Sequence, residues 1–276
     1  MEYVITSLLT TMSLGSYGKR RGRKRAISLS TPPPPPPPRV FSKWSSAEIP
    51  DSGWASSDFM VGSGMVIIQP SSHNIVVCYD SLRKTYFLPK GRKDIGESLE
   101  EAAVREAYEE SGYKAEHFPL YKVTRAPAPP TNPGARRSPN TEPAYISVRS
   151  WSTKKNDNGG EYLTFWYVGQ IGPDAKWTSG TGMPDEQHYS SKLYEYEDAL
   201  RLLWGGTQQR VLEYTWELYL EHLGMEEDIR KQRWKAYIDQ KSKEGRKYHA
   251  KLTGNSRGPT YRTVPPRRSV EGEEYR

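Results

Sequence analysis

The stretch Leu88-Pro-Lys-Gly-Arg-Lys-Asp-Ile-Gly-Glu-Ser-Leu-Glu-Glu-Ala-Ala-Val-Arg-Glu-Ala-Tyr-Glu-Glu-Ser-Gly-Tyr113 decides how this chain is read. Upstream of it the short apolar run Tyr86-Phe87-Leu88 ends at Pro89 and opens into Gly91. The spacing then predicts a helix over Glu97 to Ser111. Ser98 and Glu101 stand at the separation of a capping box, and Gly112 falls where a left-handed C-terminal cap belongs.

On that helix Glu106, Glu109 and Glu110 stand at i, i+3 and i+4, inside an arc of roughly 100°. Like charges so placed repel, and an exposed helix usually alternates their signs. The cluster therefore asks for a cation, and carboxylate oxygens suit magnesium or manganese. Ala102, Ala103 and Ala107 lie around the same arc and are expected to leave room for a large polyanionic substrate. Taken by themselves, three glutamates also describe a solvated acidic helix face.

The flanking pattern decides between the two. Gly91, five residues, Glu97, seven residues, then Arg105-Glu106-Ala107-Tyr108-Glu109-Glu110-Ser111-Gly112-Tyr113 resembles the signature of the Nudix hydrolases at every fixed position. The resemblance implies an α/β/α sandwich with a mixed β-sheet. It implies that Glu106, Glu109 and Glu110 hold the metal, with Glu97 at the edge of the site and the carbonyl of Gly91 as a further ligand. Arg105 is implied to orient a box glutamate, and water to attack a phosphorus of a diphosphate bridge. For the general base the first choice is Glu106 and the second Glu186, in the loop Pro184-Asp185-Glu186-Gln187-His188; His188 itself is expected to be a surface residue.

Working outward, Phe59–Ile68 and Ile75–Tyr79 read as a hairpin split by Pro70-Ser71-Ser72-His73-Asn74. His117–Thr124, Ala144–Trp151 and Tyr162–Ile171 read as further strands. Ala126–Pro143, with Arg136 and Arg137, is too rich in proline for an element and is expected to be a surface insertion. Lys154–Gly160 reads as a polar hairpin turn, and Tyr196–Trp204 and Gln208–Leu223 as helices. Beyond Gly224, Glu226–Lys251 carries only the thin apolar stripe Trp234, Tyr237 and Ile238. An exposed helix is expected there, then disorder from Thr253.

The whole 276-residue chain carries a net charge of +7, but unevenly. Residues 1–40 and 226–276 each carry +6, and the stretch between them −5. The basic character belongs to the tails. The first tail combines Lys19, Arg20, Arg21, Arg23, Lys24 and Arg25 with the prolines Pro32 to Pro38, and reads as a disordered leader. The expected domains are thus a leader over 1–54, a catalytic domain over 55–225 and a tail over 226–276. No stretch is apolar enough to span a bilayer. Cys78 is the only cysteine, which excludes an internal disulfide and points to a reducing compartment, cytoplasmic or nuclear.

Lys90, Arg92 and Lys93 surround Gly91 and suit a substrate with several phosphates, although they also offset the acidic helix beside them. Pro89-Lys90-Gly91 resembles the loop of Nudix members acting on dinucleoside polyphosphates, diphosphoinositol polyphosphates and capped RNA. A dinucleoside or diphosphoinositol polyphosphate is the leading expectation. An RNA cap, with RNA held through the basic tails, or a nucleotide sugar is the alternative. Trp151, Phe165, Trp166 and Tyr167 are candidates for a base-stacking platform or for core. A module that binds nucleotide or partner without turnover is the reading from another class, and the oligomeric state is left open.

Overall fold

The computed structural model describes residues 41–46, 51–152 and 159–253, with side chains of residue 137 and of residues 249–253 left aside. Residues 1–40 of the expected leader, most of the segment 154–160 and the end of the tail from residue 254 lie outside the described residues. By its contacts the chain divides after Ser42, and the fold is that of the unit from Lys43 onward.

Eight strands form one sheet: β1 Phe59–Gln69, β2 Asn74–Asp80, β3 Thr85–Phe87, β4 Lys90–Arg92, β5 Glu116–His117, β6 Tyr145–Trp151, β7 Gly160–Gln170 and β8 Tyr189–Tyr194. The central path runs β3-β2-β1-β7-β5, with β4 on β1, β6 on β7 and β8 on β2. The β1–β7 pair is parallel and the others antiparallel, so the sheet is mixed. A strand covered on both faces reads as a continuous apolar run, which is the pattern of Met65-Val66-Ile67-Ile68.

Alternation along β1 divides the core. Met65 and Ile67 face α1 (Leu99–Ser111), packing with Ala103, Ala107 and Tyr167. Val66 and Ile68 face the opposite layer, where Leu203, Val211, Leu212 and Tyr219 come from α2 (Tyr196–Leu202) with its C-cap, and from α3 (Thr207–Thr253). The result is the expected α/β/α sandwich. Burial of this apolar surface, about 25 cal/mol per Å², is its main support.

α1 starts and stops where its sequence says. Ser98 accepts from the Glu101 N–H while Glu101 accepts from the Ser98 N–H, and Gly112 caps the end at φ 74°. Buried Ser63 donates to the Leu99 carbonyl at 2.7 Å and fastens the helix start to β1.

Several expectations need correction. Ala102, Ala103 and Ala107 are fully buried and line no open space; their small size lets α1 approach the sheet. Of His117–Thr124 only His117 joins a strand, because Pro119 has no N–H for the ladder; Leu120 adds one bridge to Asn140. The exposed helix expected over Glu226–Lys251 is present, as the unbroken continuation of the helix begun near Gln208 through Gly224 to Thr253. Two strands went unread, β4 and β8. Residues 43–46, assigned to the leader, touch the domain: the Tyr145 hydroxyl donates to the Trp44 carbonyl at 2.9 Å, and the Trp44 and Tyr214 rings lie 5.8 Å apart.

Candidate active site

Two elements adjacent in sequence meet at the site. β4 lies antiparallel to β1, pairing Gly91 with Ser63, and α1 crosses beside it. The approach is close enough that a Cβ added at Gly91 would fall on the Glu106 carboxylate. Only glycine fits there.

Glu106 and Glu110, one turn apart on α1, turn toward the sheet and are 6% and 8% exposed. The Lys90 N–H donates to Glu110 Oε2 at 2.6 Å. Burial, with the negative charges of Glu106 and Glu186 nearby, still pushes the Glu110 carboxyl up to about 8. Glu106 is raised in the same direction, mainly by burial, although Arg105 opposes the rise.

Arg105 is the hub. Its Nε and Nη2 donate to the two oxygens of Glu97 at 2.8 and 2.9 Å, its Nη1 to Glu106 Oε1 at 2.8 Å and Glu109 Oε2 at 2.9 Å, and Nη2 also to the Arg92 carbonyl. A planar guanidinium satisfies this fork, which an ammonium cannot. The bond from Arg105 holds Glu97 below the usual carboxylate range. With Asp94 N–H on Oε2 as well, Glu97 is already engaged.

Glu186 arrives from far along the chain. Its loop is tied to the end of α1 by Thr181, whose hydroxyl contacts the Tyr108 and Glu109 carbonyls at 2.9 and 3.0 Å. Glu186 Oε2 accepts from the Met183 N–H at 2.9 Å, and its charge is felt at both Glu106 and Glu110. His188, expected at the surface, is partly exposed there, with Nε2 3.1 Å from buried Asp80. Asp80 also accepts from the N–H groups of Leu82 and Arg83 and from the Arg83 guanidinium. These bonds hold its carboxyl below the usual range against the opposing effect of desolvation. The pair ties the Glu186 loop to the turn after β2.

The three cations around Gly91 part company. Lys90 lines a cavity of 580 Å³ beside the carboxylates, together with Tyr162, Thr164 and Trp166. Arg92 is exposed and gives its carbonyl to Arg105, and Lys93 Nζ turns to the Asp94 carbonyl at 2.8 Å. Tyr162 was not foreseen. Its hydroxyl, pushed up to about 12 by burial and the charge of Glu106, joins the cavity to the carboxylates; an aromatic in an apolar strand carries no local sign of that role. Trp166 and Tyr167 belong to the core.

Residues 58–168 match the family model described as NUDIX domain. The chain carries a Nudix domain. By that membership it is a pyrophosphohydrolase, and hydrolysis of a diphosphate linkage is its reaction class. Among solved structures, this Nudix chain is similar to a C. elegans Ap4A hydrolase binary complex, at 17% identity over 59% of this chain and 98% of the other, TM-score 0.38. It is also similar to a MutT protein from Methanosarcina mazei Go1, at 13% identity over 58% and 93%, TM-score 0.35. A third is a NUDIX hydrolase from Nitrosomonas europaea, at 19% identity over 58% and 90%, TM-score 0.34. No curated protein matches the chain by sequence. No helix among the described residues is long and apolar enough to cross a membrane.

Nudix hydrolases use divalent metal ions, and the donor set here fits one by its chemistry. Two buried carboxylates whose ionisation is disfavoured stand beside a glycine strand with no room for a side chain, and hard oxygen donors suit a hard cation. In the arrangement described, Arg105 stands between Glu97, Glu106 and Glu109, and no group of three His, Cys, Asp or Glu side chains among the described residues is set to enclose an ion.

Proposed function

We propose that this chain hydrolyses a diphosphate linkage in a multiply phosphorylated substrate, a dinucleoside polyphosphate or a diphosphoinositol polyphosphate. The observation that carries the reading is the junction of two unlike surfaces. Glu106 and Glu110, buried and reluctant to ionise, adjoin through Lys90 and Tyr162 a cavity lined, among the described residues, by no Asp or Glu side chain. One surface suits a cation and the other a polyanion.

Glu106, Glu109 and Glu110, with the Gly91 carbonyl, would hold magnesium or manganese, and Glu97 stands at the edge through Arg105. A cation held there would lower the pKa of the attacking water and neutralise charge on the phosphate oxygens. Arg105 fixes the carboxylates of Glu97, Glu106 and Glu109, so their positions do not depend on their own rotamer preferences. Lys90, which lines the cavity, would meet the phosphate chain, with Arg92 and Lys93 farther out on the same strand and loop.

In the reaction the water oxygen forms a bond to phosphorus, the bridging P–O bond breaks, and the leaving phosphate takes the bond's electron pair. The water's proton goes to a carboxylate. Glu106 is the proposed base, since burial raises its basicity toward neutral pH; Glu186 is the alternative.

The test is a panel of pure substrates with product analysis, in magnesium and in manganese separately. It holds a dinucleoside polyphosphate, a diphosphoinositol polyphosphate, a nucleotide sugar and capped RNA. Preferential turnover of the first two supports the reading. Preferential turnover of the nucleotide sugar refutes multiple phosphorylation as the recognised feature.

A further inference from the structure

α1 covers only part of its side of the sheet. Beyond Ala103 and Ala107 the register sets Phe165 opposite Ile146 and Leu163 opposite Val148, with Val61 of β1 on the other side of Leu163. Phe165, Leu163 and Val61 are half-buried, and Ile146 and Val148 at the outer end of this apolar row are 50% and 43% exposed. β-branched residues alternating on one face of a strand ordinarily pack on a second layer. At these exposures no layer covers this pair.

The strand that carries them is also an edge. Among the described strands β6 pairs with β7 alone, so alternate residues turn their N–H and C=O groups outward, away from the sheet. Such edges are usually guarded by shortness, by proline or by an exposed lysine. β3 and β5 are three and two residues long, and β8, which also has a single partner strand, carries exposed Lys192. β6 runs for seven residues without proline or lysine, and its one charged residue is Arg149. A long edge with an apolar face beside it is a surface on which another strand can add.

We infer that β6 pairs antiparallel with β6 of a second copy of this chain, about a two-fold axis at Ser147, and so joins two sheets into one. The strand's own sequence selects both the partner and the register. An axis at Ser147 sets Ile146 opposite Val148 and Tyr145 opposite Arg149, and symmetry makes each pair twice. The apolar residues then cover one another, and each guanidinium meets an aromatic ring. Moving the axis to Val148 puts Ile146 against Ser150, and moving it to Arg149 sets like charges face to face. A strand that complements itself in this way needs no partner of other composition. Because β6 also gives Ser147, Val148 and Arg149 to the wall of the 580 Å³ cavity, the axis would set two such cavities side by side.

Sedimentation velocity of the full chain from about 2 to about 200 μM tests this, since a short strand pair buries less than a standard interface and should associate with a dissociation constant on the order of 10 μM. Val148→Lys and Ile146→Lys change exposed positions, so each should keep the wild-type melting curve while weakening the dimer at least about tenfold. Cross-linking reads the register. Directly opposed residues of an antiparallel pair have Cβ atoms about 4.5–5.5 Å apart, so Ser147→Cys should form an inter-chain disulfide under mild oxidation. Ser150→Cys, roughly 20 Å from its own copy along the paired strands, should not. Cys78 is buried and supplies no competing thiol. A chain that stays monomeric at about 200 μM overturns the pairing and gives the edge to a strand of another protein or to the chain's own leader. A dimer that both lysine variants leave unchanged, or a Ser147→Cys chain that links no faster than Ser150→Cys, overturns it as well.

Discussion

Glu110→Gln should make the metal-free protein more stable in alkali while abolishing its turnover. A carboxyl whose folded-state pKa is raised from the ordinary 4.5 to about 8 is held more favourably protonated in the fold than in the unfolded chain. Its contribution to stability is present below the ordinary pKa and is lost as pH rises through the folded value. At pH 4 Glu110 is largely neutral in the folded and the unfolded chain alike, and glutamine, a neutral side chain of the same shape, changes little. At pH 9 the wild type must either ionise a buried carboxylate beside Glu106 or open the site. The gap between 4.5 and about 8, at about 1.4 kcal/mol per unit, puts that loss at up to roughly 5 kcal/mol. Relaxation of the site lowers this to a few kcal/mol. For a domain of this size the melting temperature moves roughly 2–4 °C per kcal/mol. The variant should therefore melt about 5–10 °C above wild type at pH 9 in chelator, and within about 2 °C of it at pH 4. Differential scanning calorimetry at the two pH values measures this. With magnesium present the order should invert, because a cation that binds ionised carboxylates stabilises the wild type more as pH rises. Turnover should fall at least about a hundredfold, since the charge that disfavours the empty fold is the charge the metal requires. A difference between variant and wild type that does not change with pH would refute the account of Glu110 as a buried acid whose ionisation is disfavoured.

The same geometry sets three further outcomes. Gly91→Ala should cut turnover about a hundredfold or more, because its Cβ would fall on the Glu106 carboxylate and displace a proposed metal ligand; wild-type kcat with an unchanged melting curve would show that the strand yields. Arg105→Lys keeps the charge but not the fork to Glu97, Glu106 and Glu109, so kcat should fall at least about tenfold and metal affinity with it; wild-type kinetics and metal titration would mean that charge alone suffices. A chain of residues 43–230 should turn over a small soluble diphosphate within about threefold of the full chain, a barrier change below roughly 0.7 kcal/mol, whereas a chain starting at 55 should melt lower because it loses Trp44 from Tyr145 and Tyr214. Circular dichroism melts and steady-state rates on the same preparations decide both halves.

What could be read from the residues was what the chain encodes locally. The helix α1 announces itself through Ser98, Glu101 and Gly112, three residues whose roles need nothing beyond one turn on either side, and each makes the expected bond or angle. The long apolar run of β1 likewise marks a strand covered on both faces. The errors fall where a residue's surroundings come from elsewhere. Lys90-Gly91-Arg92 has no apolar alternation and becomes a strand only because β1 offers an edge to it. Tyr189–Tyr194 becomes one through β2. Helical periodicity grouped the alanines with the glutamates but did not say which faces the sheet; in fact both do, the alanines in the core and Glu106 and Glu110 at its border. That border explains the site. Carboxylates on an open helix face would be solvated and ordinary, whereas the same residues drawn in by small neighbours lose water, rise in pKa and become responsive to a cation. The alanines are thus part of the chemistry without touching it. By setting how deeply α1 sinks, they set how unfavourable it is to keep Glu110 ionised.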